Sequence, residues 1–422
     1  MGPEPIDVRG GSTGIAADCE RLRAVAGSLG NAARDVAGVA FALHGYLLDP
    51  ALVGAGLACP REFACFEADL ADALDGPGGL SWAAVEFGLL AELLRAAAAA
   101  YEGADRLDLL PFGHFSALLH LPQSIGAAEA LLVRRQDPLG ALQTIVTSDP
   151  ELADFAVNLI GLPARLRTIA ATLPDGRPRV SAQGVDRRGD AGRVPRRLAD
   201  VVGELAGRND GRPGAIDVRI LTTRSRRRSV IVDITGTKSF DPRPIADVTS
   251  LITDAKALVG LPTTYEQGVL IAMRRAGVTA YDDVMIVGHS EGGMVAVAAA
   301  RDALTSREFH VTHIVTAGAP IGLTVGSLSR RVRVLALENR GDVVAHLDGR
   351  ANPDRPNVTS VTGHRDRIGI VAEHSVRGSY VPIAGDVDAS TNASVRNFFA
   401  SAAVFFRASS VVTRAFVVSR RR

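Results

Sequence analysis

Hydrophobic positions in the first quarter of the chain recur at the spacing of α-helices. Residues 12–45 carry an apolar side chain at every seventh position beside a row of small residues, and residues 80–105 repeat the pattern in steps of three and four. This spacing keeps one narrow face of each helix apolar, so we expect the two helices to pair along these faces. A shorter helix that carries Phe63, Phe66, Leu70 and Leu74 is predicted between them, before the Gly-rich loop 75–81.

The next hundred residues have a weaker pattern that still favours helices. Residues 148–151, Ser-Asp-Pro-Glu, resemble a capping box that opens a helix to about residue 160. From residue 174 to residue 197 the composition changes to Gly, Pro, Arg and Asp, which predicts a linker or a mobile loop. We therefore predict a helical hairpin-like domain over 1–110, a helical region with a linker over 111–210, and a third domain over 211–422.

After residue 212 the period changes to that of β-strands. Residues 215–223 and 228–236 are β-rich runs joined by a basic turn, helices are predicted near 246–259 and 263–276, and residues 284–288 form a wholly apolar strand. A helix over 291–304, further strands at 313–321, 331–342 and 357–365, and a final helix near 391–407 complete the pattern. Strands that alternate with helices predict an α/β fold, a doubly wound and mostly parallel sheet preceded by an all-α helical hairpin.

Composition removes several classes of function. The chain has 422 residues, 47% hydrophobic and 22% charged, and a net charge of +1, so no overall positive field would attract nucleic acid or an anionic membrane. The longest uncharged stretch, residues 109–128, contains two prolines, two histidines and a glutamine, which predicts a buried broken helix and no transmembrane segment. The N-terminus also lacks the basic and apolar regions of an ordinary secretory signal.

No cofactor or metal is expected. The three cysteines lie in the first sixth of the chain, and they are too few for a disulfide scaffold and lack zinc-site spacing. His310 and His313 form an HxxH sequence within a β-like run, where core and loop positions are better interpretations than ligands.

Two segments match G-x-S-x-G, so the pattern alone decides nothing. The match around Ser12 follows a polar tail and precedes a surface helix, as a helix N-cap does. The match around Ser290 follows the apolar strand and opens a helix, which is the setting of a nucleophile elbow. Gly288 and Gly292 allow the sharp turn that projects the hydroxyl above the sheet edge, beside a positive helix N-terminus. Ser290 is therefore the predicted nucleophile.

A serine hydroxyl needs a base, and hydrolases of this type order their residues as Ser, then an acid, then His. Asp342 follows the second predicted strand after Ser290, at the carboxyl end of the strand, where catalytic groups gather in open α/β sheets. Its competitors are Asp348, Asp354 and Asp366. Of the later histidines, His374 is favoured because it lies in a loop before the last helix; the alternatives are His346, in the Asp342 loop, and His364.

A developing oxyanion needs two oriented N–H donors. One is expected from the backbone of Glu291, directly after the nucleophile, and the other from the turn at Gly236, Thr237 and Lys238, which leaves an earlier strand. An ordinary Gly-Thr turn is the alternative interpretation of the second segment.

The last 200 or so residues resemble the α/β-hydrolase superfamily, and within it the class 3 lipases. The family turn R-G-T is Thr-Gly-Thr here (235–237), GHSLGG is GHSEGG (288–293), and N-x-x-D-x-V is Asn-Arg-Gly-Asp-Val-Val (339–344). A T-F-G-x-P-like strand end follows at 316–322, and a tyrosine, Tyr380, follows the histidine. The resemblance implies an esterase or lipase with Ser290, Asp342 and His374 as its triad and Thr237 and Glu291 at its oxyanion hole. A carboxylate at Glu291, where the family has Leu or Gln, would disfavour anionic substrates.

About 110 residues at the N-terminus resemble a different class, the helical-hairpin substrates of actinobacterial type VII secretion. Tyr101 and Asp105 fit its Y-x-x-x-D signal, whereas the W-x-G turn is missing and Trp82 lies near the expected bend. This resemblance implies export without a signal peptide and a secretion-machinery or partner-helix contact through residues 1–110. A cytoplasmic location is the alternative.

Three functions follow from these residues. The leading hypothesis is hydrolysis of a small-molecule or lipid carboxylic ester through an acyl-enzyme on Ser290. An acyltransferase could use the same triad and pass the acyl group to an alcohol other than water. A type VII-linked interaction protein would use the hydrolase domain as a scaffold. Fold analogy does not choose a substrate among them.

Overall fold

The computed structural model describes residues 6–13, 15–49, 51–52, 59–76, parts of 79–95, 167, 170–183, 194–238, 246–365, 367 and 369–421. The chain divides into two compact units. One comprises Ile15–Phe112, and the other comprises Met1–Gly14 together with Gly113–Arg422. None of the described helices is long and apolar enough to cross a membrane.

The first unit is helical. Helix α1 spans Ile15–His44, helix α2 spans Pro60–Asp75, and the described residues between 80 and 95 are also helical. Small side chains of α1, at Ala26, Ala33 and Ala40, are buried, which confirms the predicted narrow apolar face. The remainder of the helix predicted over 80–105 and the helix predicted after residue 148 lie outside the described residues.

The second unit is built on a nine-stranded sheet. The order across the sheet is β1-β8-β7-β6-β5-β4-β3-β9-β2, with strands β4 to β8 parallel and the four others antiparallel to their neighbours. The strands are β1 (Asp7–Gly10), β2 (Arg177–Ala182), β3 (Ala215–Thr222), β4 (Arg228–Ile234), β5 (Asp283–His289), β6 (His310–Ala317), β7 (Arg333–Asn339), β8 (Val358–Gly363) and β9 (Ser410–Arg421).

Helices cover both faces of this sheet. They are α3 (Leu198–Asn209), α4 (Leu251–Leu258), α5 (Thr264–Arg275), α6 (Glu291–Ser306), α7 (Ile370–Glu373), α8 (Val381–Asp388) and α9 (Ala393–Phe406). Alternate residues of each strand enter the two cores, as Val230 and Val232 of β4 pack on the side of α5 and α6 while Ile231 packs on the side of α3, α8 and α9. The predicted doubly wound α/β fold is thereby confirmed.

Three strands differ from the sequence-based expectations. The segment predicted as a linker contains β2, and β1 precedes the predicted helical hairpin. The long strand β9 follows the helix that was expected to be the last element, and it lies between β3 and β2. The sheet therefore includes residues from before the predicted boundary at residue 211. Short strands with charged alternate positions, such as RPRVSA of β2, have little apolar periodicity of their own and depend on pairing with distant strands.

Strand register collects the candidate residues at one edge. Ile234 at the end of β4 is paired with Gly288 of β5, His289 at the end of β5 with Ala317 of β6, and Asn339 at the end of β7 with Gly363 of β8. Since these strands are parallel, the loops that follow them all emerge at their carboxyl ends. The residues that follow β4, β5 and β7 therefore meet there.

Candidate active site

Ser290 lies in a sharp turn between β5 and α6. Its backbone has φ 53° and ψ −124°, in a region that side chains rarely adopt, and its N–H donates to the carbonyl oxygen of Ala317 at 3.0 Å. The residue is 8% exposed, and Glu291 is the first residue of α6. This strand–turn–helix geometry is that of a nucleophile elbow.

The glycines on either side of the turn leave space for it. A Cβ atom at Gly288 would lie 2.1 Å from the carbonyl oxygen of Gly292, and one at Gly292 would lie 2.4 Å from the carbonyl oxygen of Ile234. Both contacts are far inside van der Waals range and involve backbone atoms, so no side chain could be accommodated without moving the turn. The two elbow glycines are thus required by packing.

Asp342 follows β7 and is fully buried. Its carboxylate accepts hydrogen bonds from His374 Nδ1 at 2.6 Å, from the Tyr380 hydroxyl at 2.5 Å and from the Val344 N–H at 2.9 Å. Burial by itself raises the pKa of this carboxyl, but the charge of His374 and these hydrogen bonds outweigh it and hold the pKa below its usual value. Asp342 is therefore an anion directed at the imidazole of His374.

Gly318 makes the approach of Tyr380 and Asp342 possible. It directly follows β6 and has φ +60°. A Cβ atom there would lie 2.7 Å from the Tyr380 hydroxyl and 2.8 Å from Asp342 Oδ2. The phenol is itself buried, and its hydroxyl has the carboxylate as its acceptor. A small residue at this position is needed for the hydrogen-bonded arrangement around the acid.

The loop before His374 is held by a second set of hydrogen bonds. Asn339 Nδ2, at the end of β7, donates to the carbonyl oxygen of Glu373 at 3.1 Å and to its carboxylate at 2.6 Å. The same carboxylate accepts from the Arg367 N–H at 2.9 Å. These contacts tie the α7 turn to the strand that carries Asp342, so the base and its acid are positioned by one framework.

His289 links the nucleophile segment to His374. Its Nε2–H donates to the backbone carbonyl of His374 at 2.9 Å, and the two rings lie 4.4 Å apart between centroids. Burial lowers the pKa of His289 well below its usual value, and the neighbouring charge of His374 acts in the same direction. A neutral imidazole therefore packs beneath the His374 ring. Among the described contacts, Ser290 Oγ has no hydrogen bond to His374, and such bonds often form only when substrate is bound.

The turn after β4 lies directly beside the elbow. A Cβ atom at Gly236 would be 3.0 Å from Ser290 Cβ, and the Gly236 N–H donates to Asn209 Oδ1 at 3.0 Å. The Thr237 hydroxyl donates to Asp254 of α4 at 2.8 Å and 3.0 Å. Gly236 thus lies against Ser290 with Thr237 next in the chain, and Glu291 is at a helix N-terminus, where the first N–H groups lack intrahelical acceptors.

The structure places the competing residues elsewhere. Asp348 is buried and accepts the Leu323 N–H at 3.0 Å, so it supports a turn. His364 is exposed, His346 lies in the 3-10 turn after Asp342, and Asp354 lies near Gly10 beside β8. Asp366 lies outside the described residues. The second G-x-S-x-G serine, Ser12, is in a 3-10 turn, where its oxygen accepts from Asn397 at 2.6 Å.

No cluster of three or more His, Cys, Asp or Glu side chains suited to a metal occurs in the described part of the chain. His313, from the HxxH sequence, is buried, with one ring nitrogen 2.9 Å from the Ser401 hydroxyl and its ring against Phe398 and Phe405. His313 therefore occupies a core position, as the sequence indicated.

Comparison with known families agrees with this architecture. A family model described as the PGAP1-like alpha/beta domain matches residues 265–399, which include the elbow, Asp342 and His374. This family belongs to the α/β-hydrolase superfamily and is lipase-like. The fold is that of an α/β hydrolase. No curated protein and no solved structure matches the chain.

The family match supports a hydrolase of the lipase and esterase type, and it covers about one third of the chain. It does not reach the turn at Thr237 or the N-terminal helices, and it does not specify class 3 lipases. Three neighbours of the site were not singled out from the sequence: His289, Glu373 and Asp254. His289 and Glu373 directly precede two predicted residues, which was a usable signal, whereas Asp254 lies in an ordinary amphipathic helix.

Proposed function

We propose that the chain is a serine hydrolase that cleaves a carboxylic ester through an acyl-enzyme on Ser290. The observation that carries this proposal is the hydrogen-bonded Asp342–His374 pair, with 2.6 Å between Oδ2 and Nδ1, beside a serine in a strained elbow. A carboxylate that holds Nδ1–H leaves Nε2 of the histidine free to act as a base. A scaffold function would require none of this arrangement.

In the proposed reaction, Ser290 Oγ attacks the ester carbonyl while His374 Nε2 takes the hydroxyl proton. The carbonyl oxygen becomes an oxyanion, which the N–H groups of Thr237 and Glu291 stabilise. When the tetrahedral intermediate collapses, the imidazolium returns its proton to the leaving alcohol, and the acyl group stays on Ser290. Water, activated by the same histidine, then releases the acid. Asp342 remains ionised throughout and stabilises the imidazolium.

We infer that Glu291 does not repel anionic substrates, contrary to the expectation from its sequence. Its side chain is fully buried, and burial, reinforced by the charge of Asp254, raises the pKa of its carboxyl well above its usual value. A neutral buried carboxyl places no negative charge in the path of a substrate. The acyl and alcohol groups that the enzyme accepts will therefore decide whether its specificity resembles that of class 3 lipases.

A panel of esters tests this proposal. Neutral and anionic acyl esters of rising chain length are expected to be hydrolysed with a preference for one chain-length range and with no systematic penalty for the anionic members. Released acid and alcohol should be measured for each ester. Release of neither product from any member of the panel would contradict an ester hydrolase.

An acyltransferase is the second candidate, because the same Ser290, His374 and Asp342 arrangement could pass the acyl group to an alcohol other than water. Repeating the ester assay with added primary alcohols separates the two functions. Free acid is the main product of a hydrolase, whereas a new ester that dominates at low alcohol concentration identifies a transferase.

We further propose export by a type VII-like route, on the support of the N-terminal sequence resemblance and the long helix α1. Tyr101 and Asp105 lie outside the described residues. Tyr101→Ala is expected to retain the protein inside the native host cell, because it removes the aromatic residue of the signal. Culture filtrate and cell lysate are compared by immunoblot. Tyr281→Ala, at a 97% exposed tyrosine of the other unit, is the control, and unchanged secretion of the Tyr101 variant would contradict this route.

A further inference from the structure

The carboxyl group of Glu291 is an unusual neighbour for a nucleophile. The residue follows Ser290 directly, and its side chain is fully buried. Of the described residues, Thr237 has a hydroxyl close enough to act on the Glu291 carboxyl, but that hydroxyl donates its proton to Asp254 at 2.8 Å. A carboxylate with no donor of its own in such a site is strongly disfavoured, because nothing replaces the water lost on burial. Burial accordingly raises the pKa of Glu291 well above its usual value.

A second carboxyl group lies within hydrogen-bond distance of Thr237. Asp254 of α4 accepts the Thr237 hydroxyl with both oxygens, at 2.8 Å and 3.0 Å. Burial raises the pKa of Asp254 to about 7, while the Thr237 hydrogen bond and the charge of His374 oppose the rise. The charge of Asp254 in turn raises the pKa of Glu291. The two acids therefore ionise in sequence, Asp254 first.

The surrounding charges cannot neutralise both acids. The charged and titratable groups that act on Glu291 are Asp254 of α4, Asp247 before α4, Tyr265 of α5 and Arg420 of β9. His374 acts on Asp254. Arg420 is the nearby cation, but its Nε lies 2.7 Å from Asp175.

The rest of the Arg420 guanidinium is also occupied. It donates to the Ser250 hydroxyl at 3.0 Å and to the Thr253 hydroxyl at 2.6 Å. That cation is thus committed to Asp175 and to the start of α4. Lys238, directly after Thr237, donates to the carbonyl oxygen of Asn209. Among the described contacts, neither cation forms an ion pair with Asp254 or Glu291, so a second carboxylate there would be uncompensated.

We propose that Glu291 and Asp254 are positioning residues that form an acid pair with a single negative charge behind the oxyanion turn. Asp254 is the carboxylate that orients Thr237 through its hydroxyl, and Glu291 is the neutral member whose backbone N–H faces the oxyanion. The inference rests on the proposed function, since it assigns a role relative to an oxyanion at Ser290. It adds two side chains to that function, neither of which touches the reacting atoms.

The acid pair predicts a specific pH dependence. Asp254 has a pKa of about 7, and its charge raises the pKa of Glu291, so the pair carries one charge after Asp254 has ionised. When Glu291 also loses its proton on further alkalinisation, a second negative charge beside the Thr237 and Glu291 N–H groups opposes the developing oxyanion. The rate constant kcat should therefore fall at alkaline pH, while KM changes little, because the uncharged ground-state carbonyl is less sensitive to that charge.

The test compares pH profiles of kcat and KM for the full chain and three variants. Glu291→Gln keeps the shape of the side chain and removes its titratable proton, so the ratio of kcat at alkaline pH to kcat at pH 8 is expected to lose the decline that the wild type shows. Asp254→Asn removes the anion that holds the Thr237 hydroxyl and is expected to lower kcat by more than about tenfold at pH 8, with KM within about threefold.

Glu266→Gln is the matched control. Glu266 is also fully buried, burial raises its pKa to about 8, and its carboxyl faces Arg301 and Asp302 on α6. Its variant should reproduce the wild-type profile. Thermal melting at each pH separates loss of fold from loss of rate.

Active-site labelling separates this inference from the proposed function. If Ser290 reacts with a fluorophosphonate in all variants but the Glu291→Gln profile superimposes on the wild-type profile, the acid pair is wrong and the hydrolase proposal stands. Absence of labelling of Ser290 in the wild type would instead overturn the proposed function.

Discussion

Replacement of Ser290 by alanine is expected to abolish covalent labelling by a fluorophosphonate and to lower kcat for esters by a factor on the order of 10⁵ to 10⁶. The reagent phosphonylates a serine oxygen only where a base removes its proton and donors stabilise the oxyanion-like product. The elbow with φ 53°, the helix N-terminus and the Asp342–His374 pair meet at this serine. Intact-mass spectrometry after labelling measures the first effect, and steady-state ester hydrolysis measures the second.

Ser12→Ala is the matched control for this substitution. Ser12 stands in the same G-x-S-x-G sequence, but it lies in a 3-10 turn beside β1, where Asn397 donates to its oxygen. This variant should label and turn over as the wild type does. Label retained by Ser290→Ala, or lost from Ser12→Ala, would contradict the assignment of the nucleophile.

Loss of the base or of its acid is expected to have the next largest effect. His374→Ala should lower kcat by 10³-fold or more, about 4 kcal/mol of transition-state stabilisation, with little change in KM.

Asp342→Asn should lower kcat by a similar or somewhat smaller factor. An amide in place of the carboxylate no longer holds the proton on Nδ1 or stabilises the imidazolium. Its fold should be retained, since the Val344 N–H can still donate to the remaining side-chain oxygen.

The pH profile of the wild type belongs to the same prediction. A protonated imidazole cannot accept the Ser290 proton, so kcat/KM should fall on acidification. The pKa of Asp342 lies below its usual value, so its carboxylate stays ionised over the neutral and mildly acidic part of this profile.

His364→Ala is the control for the base. His364 is exposed, and its loss should change kcat by less than about tenfold, near 1.4 kcal/mol. If the two histidine variants exchanged their behaviour, the assignment of the base would be wrong while that of Ser290 would be unaffected, because it depends on a different stretch of chain.

Much of the α/β unit could be predicted from local patterns. The apolar strand β5, the elbow around Ser290 and helix α6 follow one another without interruption, and each is specified by its own periodicity and by glycines. The strands β6 and β7 are likewise largely buried, and each has a short apolar stretch between polar residues, Ile314–Val315 in β6 and Val334–Leu337 in β7. For these elements the sequence pattern and the tertiary environment require the same residues, so the predictions were close.

The antiparallel edges of the sheet show the limit of this reasoning. Strand β9 alternates apolar residues with residues such as Arg414 and Arg420, and β2 is short and rich in charge and proline. Their mutual register, with Arg177 opposite Arg421, joins segments more than two hundred residues apart. β9 pairs with the edge of β3 and buries Phe416 and Val418 in the core. Both contacts involve residues far away along the chain, so a short stretch of sequence does not reveal the pairing.

By itself, the sequence determined the α/β fold and proposed the order of nucleophile, acid and base, because both depend on residue types at short range along strands and turns. Only the tertiary structure placed His374 and Tyr380 on Asp342, His289 beneath His374, and Asp254 behind Thr237. The protonation of Glu291 is also a tertiary property. A glutamate is charged in water, whereas here its neutral form is favoured, because folding buries the carboxyl and places it beside a second acid whose charge also raises its pKa.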